Sequence, residues 1–337
     1  LASTVWLNLA AQTLTGLSHG TNMFAPAGTP AHSIFGLSKL VLGIVVTIFL
    51  VVAGLFLYAS VRYRHRAHSI DAAEEPAQIF GSNQIELSWT VIPILIVVLL
   101  FLATTRIILM TQSIPKPATS LDVTVIGHQF WWEYSYPKLG VVTANELHIP
   151  VSDVKSPTPT YLTMTSADTD HSFWVPRLAG KMDLIPNQIN TMWMDPQTAG
   201  LYLGQCAQYC GVQHAKMLIR VYADSPADFA AWIAHQKQPA VESTDPQAVE
   251  GRTIFQHNAC ISCHTVAGTV ATGRFGPDLT HVASRDTIGS GAIPFNTVNL
   301  RAFVNDPEHF KPGVLMPAMH MNDHDLDAIT VYLASLK

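Results

Sequence analysis

The chain has 337 residues, enough for about two domains, yet charged residues make up only 13% of it, about half the share in a typical soluble domain. Part of it therefore belongs in lipid, as a mean hydropathy of +0.24 also indicates. A formal net charge of -5 removes the electrostatic footprint of a nucleic-acid binder, and the four cysteines fall into two close pairs, Cys206/Cys210 and Cys260/Cys263, a usage that points to cofactors and not to a disulfide framework.

Residue 1 is Leu, not Met, so the chain is expected to be processed or trimmed, removal of a signal segment being one such route. Residues 1–32 are weakly apolar, rich in Thr, Ala, Gly and Pro, and suggest no function. Residues 40–60 then run without a charge, close to the ~20 residues a helix needs to cross a bilayer. Arg62, Arg64 and Arg66 follow, a basic cluster that belongs on the cytoplasmic side. The N-terminus is accordingly expected outside. A second uncharged run, 87–105, returns the chain across the membrane, and its Pro93 is tolerable where neighbours satisfy the freed carbonyl. Glu86 stands at the cytoplasmic edge of this second helix, where a carboxylate is favoured by the helix dipole.

From residue 121 the pattern changes to alternation with period two, at 122–125, 161–165 and 217–222. This predicts a small β-sandwich with rigid strands. An aromatic cluster, Gly127-His128-Gln129-Phe130-Trp131-Trp132-Glu133-Tyr134-Ser135-Tyr136, lies early in it; such residues are usually core or interface packing.

The densest chemistry lies in Cys206-Ala207-Gln208-Tyr209-Cys210-Gly211-Val212-Gln213-His214-Ala215-Lys216-Met217. Thiolate and thioether favour copper, and imidazole suits copper as well as zinc. A mononuclear blue-copper site takes one Cys, so a second thiolate allows both sulfurs to bridge two copper ions. A binuclear site also needs a second imidazole, for which His171, 35 residues before Cys206, is the best candidate. The competing reading is a structural disulfide, but Cys206 and Cys210 are awkwardly spaced for one and it leaves His214 and Met217 unexplained.

After a short helical stretch at 227–235 and a Pro-containing linker comes Cys260-Ile261-Ser262-Cys263-His264, the pattern of c-type haem attachment. Two thiols can form thioethers with the haem vinyls, and His264 can bind iron. A redox or zinc motif is the alternative for the pentapeptide alone. Residues 323–336 form a terminal helix.

On these residues the chain resembles subunit II of a bacterial cytochrome c oxidase with a cytochrome c fused at its C-terminal end, the caa-type arrangement. The resemblance implies a membrane-anchored multidomain protein. Its parts are an extracytoplasmic segment (1–36), a two-helix transmembrane hairpin (37–112), a cupredoxin-like β-sandwich (113–225), a linker (226–247) and an all-α class I cytochrome c domain (248–337). It implies a binuclear copper A centre held by His171, Cys206, the Gln208 carbonyl, Cys210, His214 and Met217. Where the family usually has Glu, this chain has Gln208; the carbonyl is retained, whereas a magnesium ion at the subunit I interface loses its carboxylate. It implies covalent haem c on Cys260, Cys263 and His264, with Gly276-Pro277-Asp278-Leu279 supplying a carbonyl to the His264 ring, and Met316 in Lys311-Pro312-Gly313-Val314-Leu315-Met316-Pro317 as axial ligand ahead of its rivals Met319 and Met321. Phe130 replaces the Trp at which the family receives electrons, so Trp131 and Trp132 become the expected path. Glu86 matches a position at the mouth of a proton pathway.

The implied function is an electron-accepting subunit of a proton-translocating terminal oxidase, fed by a soluble or membrane cytochrome c or another small donor, and passing electrons to subunit I, with subunit III and lipid as neighbours and no nucleic acid. Its copper and haem domains are expected on the periplasmic side of a bacterial inner membrane. A membrane-anchored copper-delivery protein and a freestanding membrane-bound electron carrier are the competing readings. Residues 121–225 and 249–337 each carry a small excess of acids over bases, so opposite net fields do not draw the two domains together and the tether is expected to.

Overall fold

The computed structural model describes residues 21–64, 78, 81–112, 116–118 and 120–337. Most of the N-terminal segment, Arg66 and residues 113–115 at the expected boundary lie outside the described residues. Two compact units are present, one made of the long helices over 33–114 and the other holding the sandwich and the C-terminal helical domain.

Helix α1 (Thr29–Arg62) and helix α2 (Asn83–Gln112) are both longer than the uncharged runs that announced them. At the start of α1, Pro30 occupies a position that needs no N–H donor, and the Asp195 carboxylate accepts the Thr29 N–H at 2.7 Å and its hydroxyl at 2.5 Å. This capping moves the helix start well upstream of the apolar run. Pro93 sits inside α2 and not near its end, and the helix runs on through it. Large apolar side chains such as Phe49, Phe56 and Leu95 are exposed along both helices, a surface that is tolerable in lipid and costly in water.

The sandwich consists of two five-stranded sheets. One has the order β3-β2-β1-β5-β8, from β1 (Asp122–His128), β2 (Trp131–Tyr136), β3 (Val141–Ala144), β5 (Thr160–Ser166) and β8 (Asn190–Met194). The other has the order β4-β10-β9-β6-β7, from β4 (Glu146–Pro150), β6 (His171–Trp174), β7 (Met182–Leu184), β9 (Gly200–Cys206) and β10 (Leu218–Asp224). The β1–β5 and β4–β10 pairings are parallel and the rest antiparallel. Burial alternates residue by residue along β1 and β10, so Val125, Trp132, Leu162, Phe173 and Val221 meet in one core between the sheets. Strand β10 begins at Leu218, one residue later than its period-two pattern suggests. A 3-10 turn at His214–Lys216 holds Met217 out of the ladder and leaves its side chain for the loop.

Helix α3 (Pro226–Gln236) follows, capped by the Ser225 hydroxyl. The C-terminal domain contains α4 (Pro246–His257), the single turn α5 (Cys260–Cys263), α6 (Thr297–Asn305), α7 (Pro307–Phe310) and α8 (Asp323–Ser335). Helices α4 and α8 cross at Gly251, where a Cβ would overlap the Ala328 carbonyl. Phe255, Leu300, Ile329 and Leu333 form the core beneath them.

Candidate metal centre and haem crevice

Strands β6 and β9 set the metal loop. Their antiparallel register pairs Phe173 with Cys206, which brings His171, at the start of β6, alongside the end of β9. The loop then leaves the sheet, and a Cys206 N–H to Met217 carbonyl bond of 3.0 Å closes its base. Gly211, at a φ of 129° that favours glycine, turns the loop against the Phe130 ring, and the Gln129 side-chain amide donates to the Cys210 carbonyl at 2.6 Å.

These contacts bring the predicted donors together. The Cys206 and Cys210 sulfurs are 3.9 Å apart, unbridged, and both thiols are free. His171 Nδ1 lies 4.0 Å from the Cys206 sulfur, His214 Nδ1 3.9 Å from that of Cys210, and the Met217 sulfur 3.9 Å from that of Cys210. The Gln208 carbonyl is 3.2 Å from the Cys206 sulfur, while the rest of Gln208 is exposed. The donor atoms of His171, Cys206 and Cys210 all lie within 4.8 Å of one another in buried surroundings. Soft donors converging without a disulfide fit copper.

The electrostatics of the site follow from this crowding. The hydrogen bond from Cys210, joined by His171 and backbone donors, holds the Cys206 thiol far below its ordinary range despite burial. Thiolate formation at Cys206 in turn pushes Cys210 up. Burial works to lower His171, but hydrogen bonds with Asp168 and Cys206 outweigh it and its pKa is raised. A metal that takes both sulfurs must displace these protons.

Asp168 was not singled out from the sequence. Its Oδ1 accepts from His171 Nε2 at 2.8 Å, leaving Nδ1 facing the sulfurs, and its Oδ2 accepts the Gln129 N–H at 2.6 Å. A ligating imidazole normally gives its second N–H to a carboxylate or carbonyl, so the acid three residues before His171 was the available signal. Gly127 packs directly beneath the His171 ring, where a Cβ would lie 2.8 Å from it.

In the C-terminal domain α5 carries Cys260 and Cys263 on one turn, and His264 follows as its cap. His264 Nδ1 donates to the Pro277 carbonyl at 2.8 Å, and its ring rests on Gly276, where no Cβ could fit without shifting it. Burial lowers the His264 pKa, against the opposing effect of the Pro277 bond, which favours the neutral ligating imidazole. The other ring nitrogen is thereby free for iron, and an apolar crevice opens beside it, lined by Cys260, Cys263, Met316, Met319 and Met321. All three methionines border this space; Met321 also packs with the domain core.

The crevice has a wall from the other domain. Gln129, Phe130, Trp131 and Asn145 of the sandwich line it. Trp131 stacks on His128 with centroids 4.1 Å apart, whereas Trp132 is fully buried and meets the His171 ring edge-on at 5.9 Å. Phe130 therefore touches both the crevice and the metal loop, as does Gln129 through its bond to the Cys210 carbonyl. Burial also lowers the Lys311 amine to about 7, the Cys210 charge opposing. Glu86, in the other unit, lies exposed in the first turn of α2, its carbonyl accepting from the Thr90 hydroxyl at 2.8 Å.

Three family descriptions match successive parts of the chain. Residues 17–107 match the cytochrome c oxidase subunit II transmembrane domain, residues 156–223 the periplasmic domain of the same subunit, and residues 248–337 cytochrome c. The chain is 33% identical to cytochrome c oxidase subunit 2 of Alkalihalophilus pseudofirmus over 96% of its own length and 94% of that protein's. To cytochrome c oxidase subunit 2 of Bacillus sp. strain PS3 it is 33% identical, over 78% and 77% of the two chains. Among solved structures, the periplasmic domain of subunit II of cytochrome oxidase from Bradyrhizobium japonicum aligns with a TM-score of 0.34 at 28% identity, covering 36% of this chain and 96% of that one.

Proposed function

The chain belongs to the cytochrome c oxidase subunit II family, in the form that carries a C-terminal cytochrome c domain, and from that premise we propose how its own residues conduct electrons. It is a membrane-anchored, electron-accepting subunit of an oxidoreductase complex, it binds copper and haem c, and oxygen is reduced in a partner subunit. Copper and haem supply one-electron chemistry; the protein holds, spaces and insulates them.

In this reading His171, Cys206, the Gln208 carbonyl, Cys210, His214 and Met217 would hold two copper ions. Cys260 and Cys263 would attach the haem, and His264, oriented by the Pro277 carbonyl, and Met316 would be its iron ligands. Electrons arrive from a small cytochrome or similar donor on the periplasmic face of a bacterial inner membrane, pass from the haem domain to the copper domain, and leave for subunit I. Subunit III and lipid are the further neighbours of the helices, and Glu86 serves the mouth of a proton pathway. Gln208 lacks the carboxylate for an interfacial magnesium.

The observation that carries this reading is the convergence of two free thiols, two imidazoles and a thioether around one buried point. Metal analysis and EPR of the purified full chain, separated from subunit I, test it. Two copper ions per covalent haem, with one unpaired electron shared between them, is the expected result. One copper, or none with a Cys206–Cys210 disulfide, overturns it in favour of copper delivery.

A further inference from the structure

Two charged side chains cross between the domains, each buried and each received by the other domain's backbone. Lys311 of the C-terminal domain is 1% exposed. Its Nζ donates to the carbonyls of Phe130 at 2.8 Å, Gly289 at 2.9 Å and Lys216 at 3.3 Å. Glu146 of the sandwich is 4% exposed. Its Oε1 accepts the N–H groups of Asp286 at 3.0 Å and Thr287 at 3.1 Å and the Thr287 hydroxyl at 3.0 Å. Arg220 stands 3.7 Å from the Glu146 carboxylate.

We propose that Lys311 and Glu146 form a two-point interdomain latch that positions the haem crevice over Phe130 and the metal loop for electron passage. An amine or carboxylate taken from water is costly unless its hydrogen-bonding capacity is filled. In the docked domains Lys311 has three carbonyl partners and Glu146 three donors. Neither set exists within the residue's own domain alone: Lys311 has only Gly289, and all three donors to Glu146 lie across the interface. The bonds are directional, so they fix orientation where an apolar contact would allow sliding. One carbonyl, Phe130, belongs to the wall of the crevice, and another, Lys216, immediately precedes the Met217 ligand. Thus the latch grips both sides of the gap that an electron must cross.

The latch rests on the route proposed above, in which one electron lost by the haem domain is gained by the copper domain with no atom transferred. Lys311 and Glu146 are positioning residues: Lys311 borders the crevice, but both act through the other domain's backbone and neither is among the ligands named above. Their effect on transfer runs through the fraction of molecules docked.

The test uses the intact oxidase, comparing wild type with Lys311→Met and Glu146→Gln. Haem c is reduced rapidly by a photoreductant and copper reduction is followed optically. The expected result is that transfer slows by about tenfold or more in each variant, since docked bonds are replaced by unpaired buried groups. Copper EPR and the haem c spectrum should stay as in wild type. Wild-type hydrogen exchange, which needs no variant to fold, should show the Asp286 and Thr287 amides protected. Unprotected amides overturn the latch. Equal transfer rates in wild type and both variants also overturn it, while leaving the route standing. Failure of the wild-type complex to transfer at all overturns the route and this role together.

Discussion

Asp168 shows how one side chain decides which nitrogen of an imidazole meets a metal. With its carboxylate 2.8 Å from His171 Nε2, the ring presents Nδ1 to the sulfurs. Asp168→Asn keeps the shape and weakens the acceptor, so copper affinity should fall by about 10- to 100-fold, read by competition with a copper chelator; an unchanged affinity contradicts the role. Cys206→Ser removes one bridging sulfur, and the shared-electron EPR signal should give way to that of a single copper or vanish. At the haem, Met316→Leu should lower the reduction potential, because Met/His ligation raises it, whereas Met319→Leu should leave it near wild type. The reverse pattern would make Met319 the ligand. At this scale the sequence was informative: the soft donors and the haem pentapeptide are conspicuous because their spacing has no packing explanation. Asp168 was not conspicuous, because a lone acid in a loop looks the same whether it faces water or a ligand. Lys311 was hidden for a similar reason, since a lysine before Pro-Gly reads as an exposed turn.

Among the elements, the helices and strands were legible where one periodicity dominated and shifted where a contact from elsewhere intervened. The start of α1 moved to Thr29 because Asp195 caps it, a partner 166 residues away that no local window contains. Met217 left the strand because the turn before it ends there. Helix crossing was illegible, since Gly251 has no side chain to form a pattern. Gly251→Ala pushes a methyl group into the Ala328 carbonyl, and overpacking of this kind costs about 1–3 kcal/mol. Thermal unfolding of the haem domain should move down, with the copper spectrum unaffected; equal midpoints would mean that α4 and α8 separate freely.

For the whole molecule, domain order and class could be read from composition, but the relation between the two redox domains could not. Both are slightly acidic, so a tally of charges predicts no attraction and leaves the tether to hold them. Yet the domains meet through Lys311, Glu146, the Arg220–Asp286 pair and the Gln213 amide on the Pro312 carbonyl. Net charge averages over a surface, whereas docking depends on a few buried groups whose partners are backbone atoms, and backbone atoms leave no trace in residue type.

The shared wall of the crevice also imposes an order on biogenesis. Phe130 and Trp131 close one side of the space that covalent haem must occupy, so the enzyme that attaches haem needs that side open. Attachment is therefore expected to precede docking. The freedom to wait apart comes from the nine residues, 237–245, between α3 and α4, which can span at most about 30 Å when extended. The connector thus acts as a timer as well as a leash: shortened, it would bring the wall down on an empty crevice.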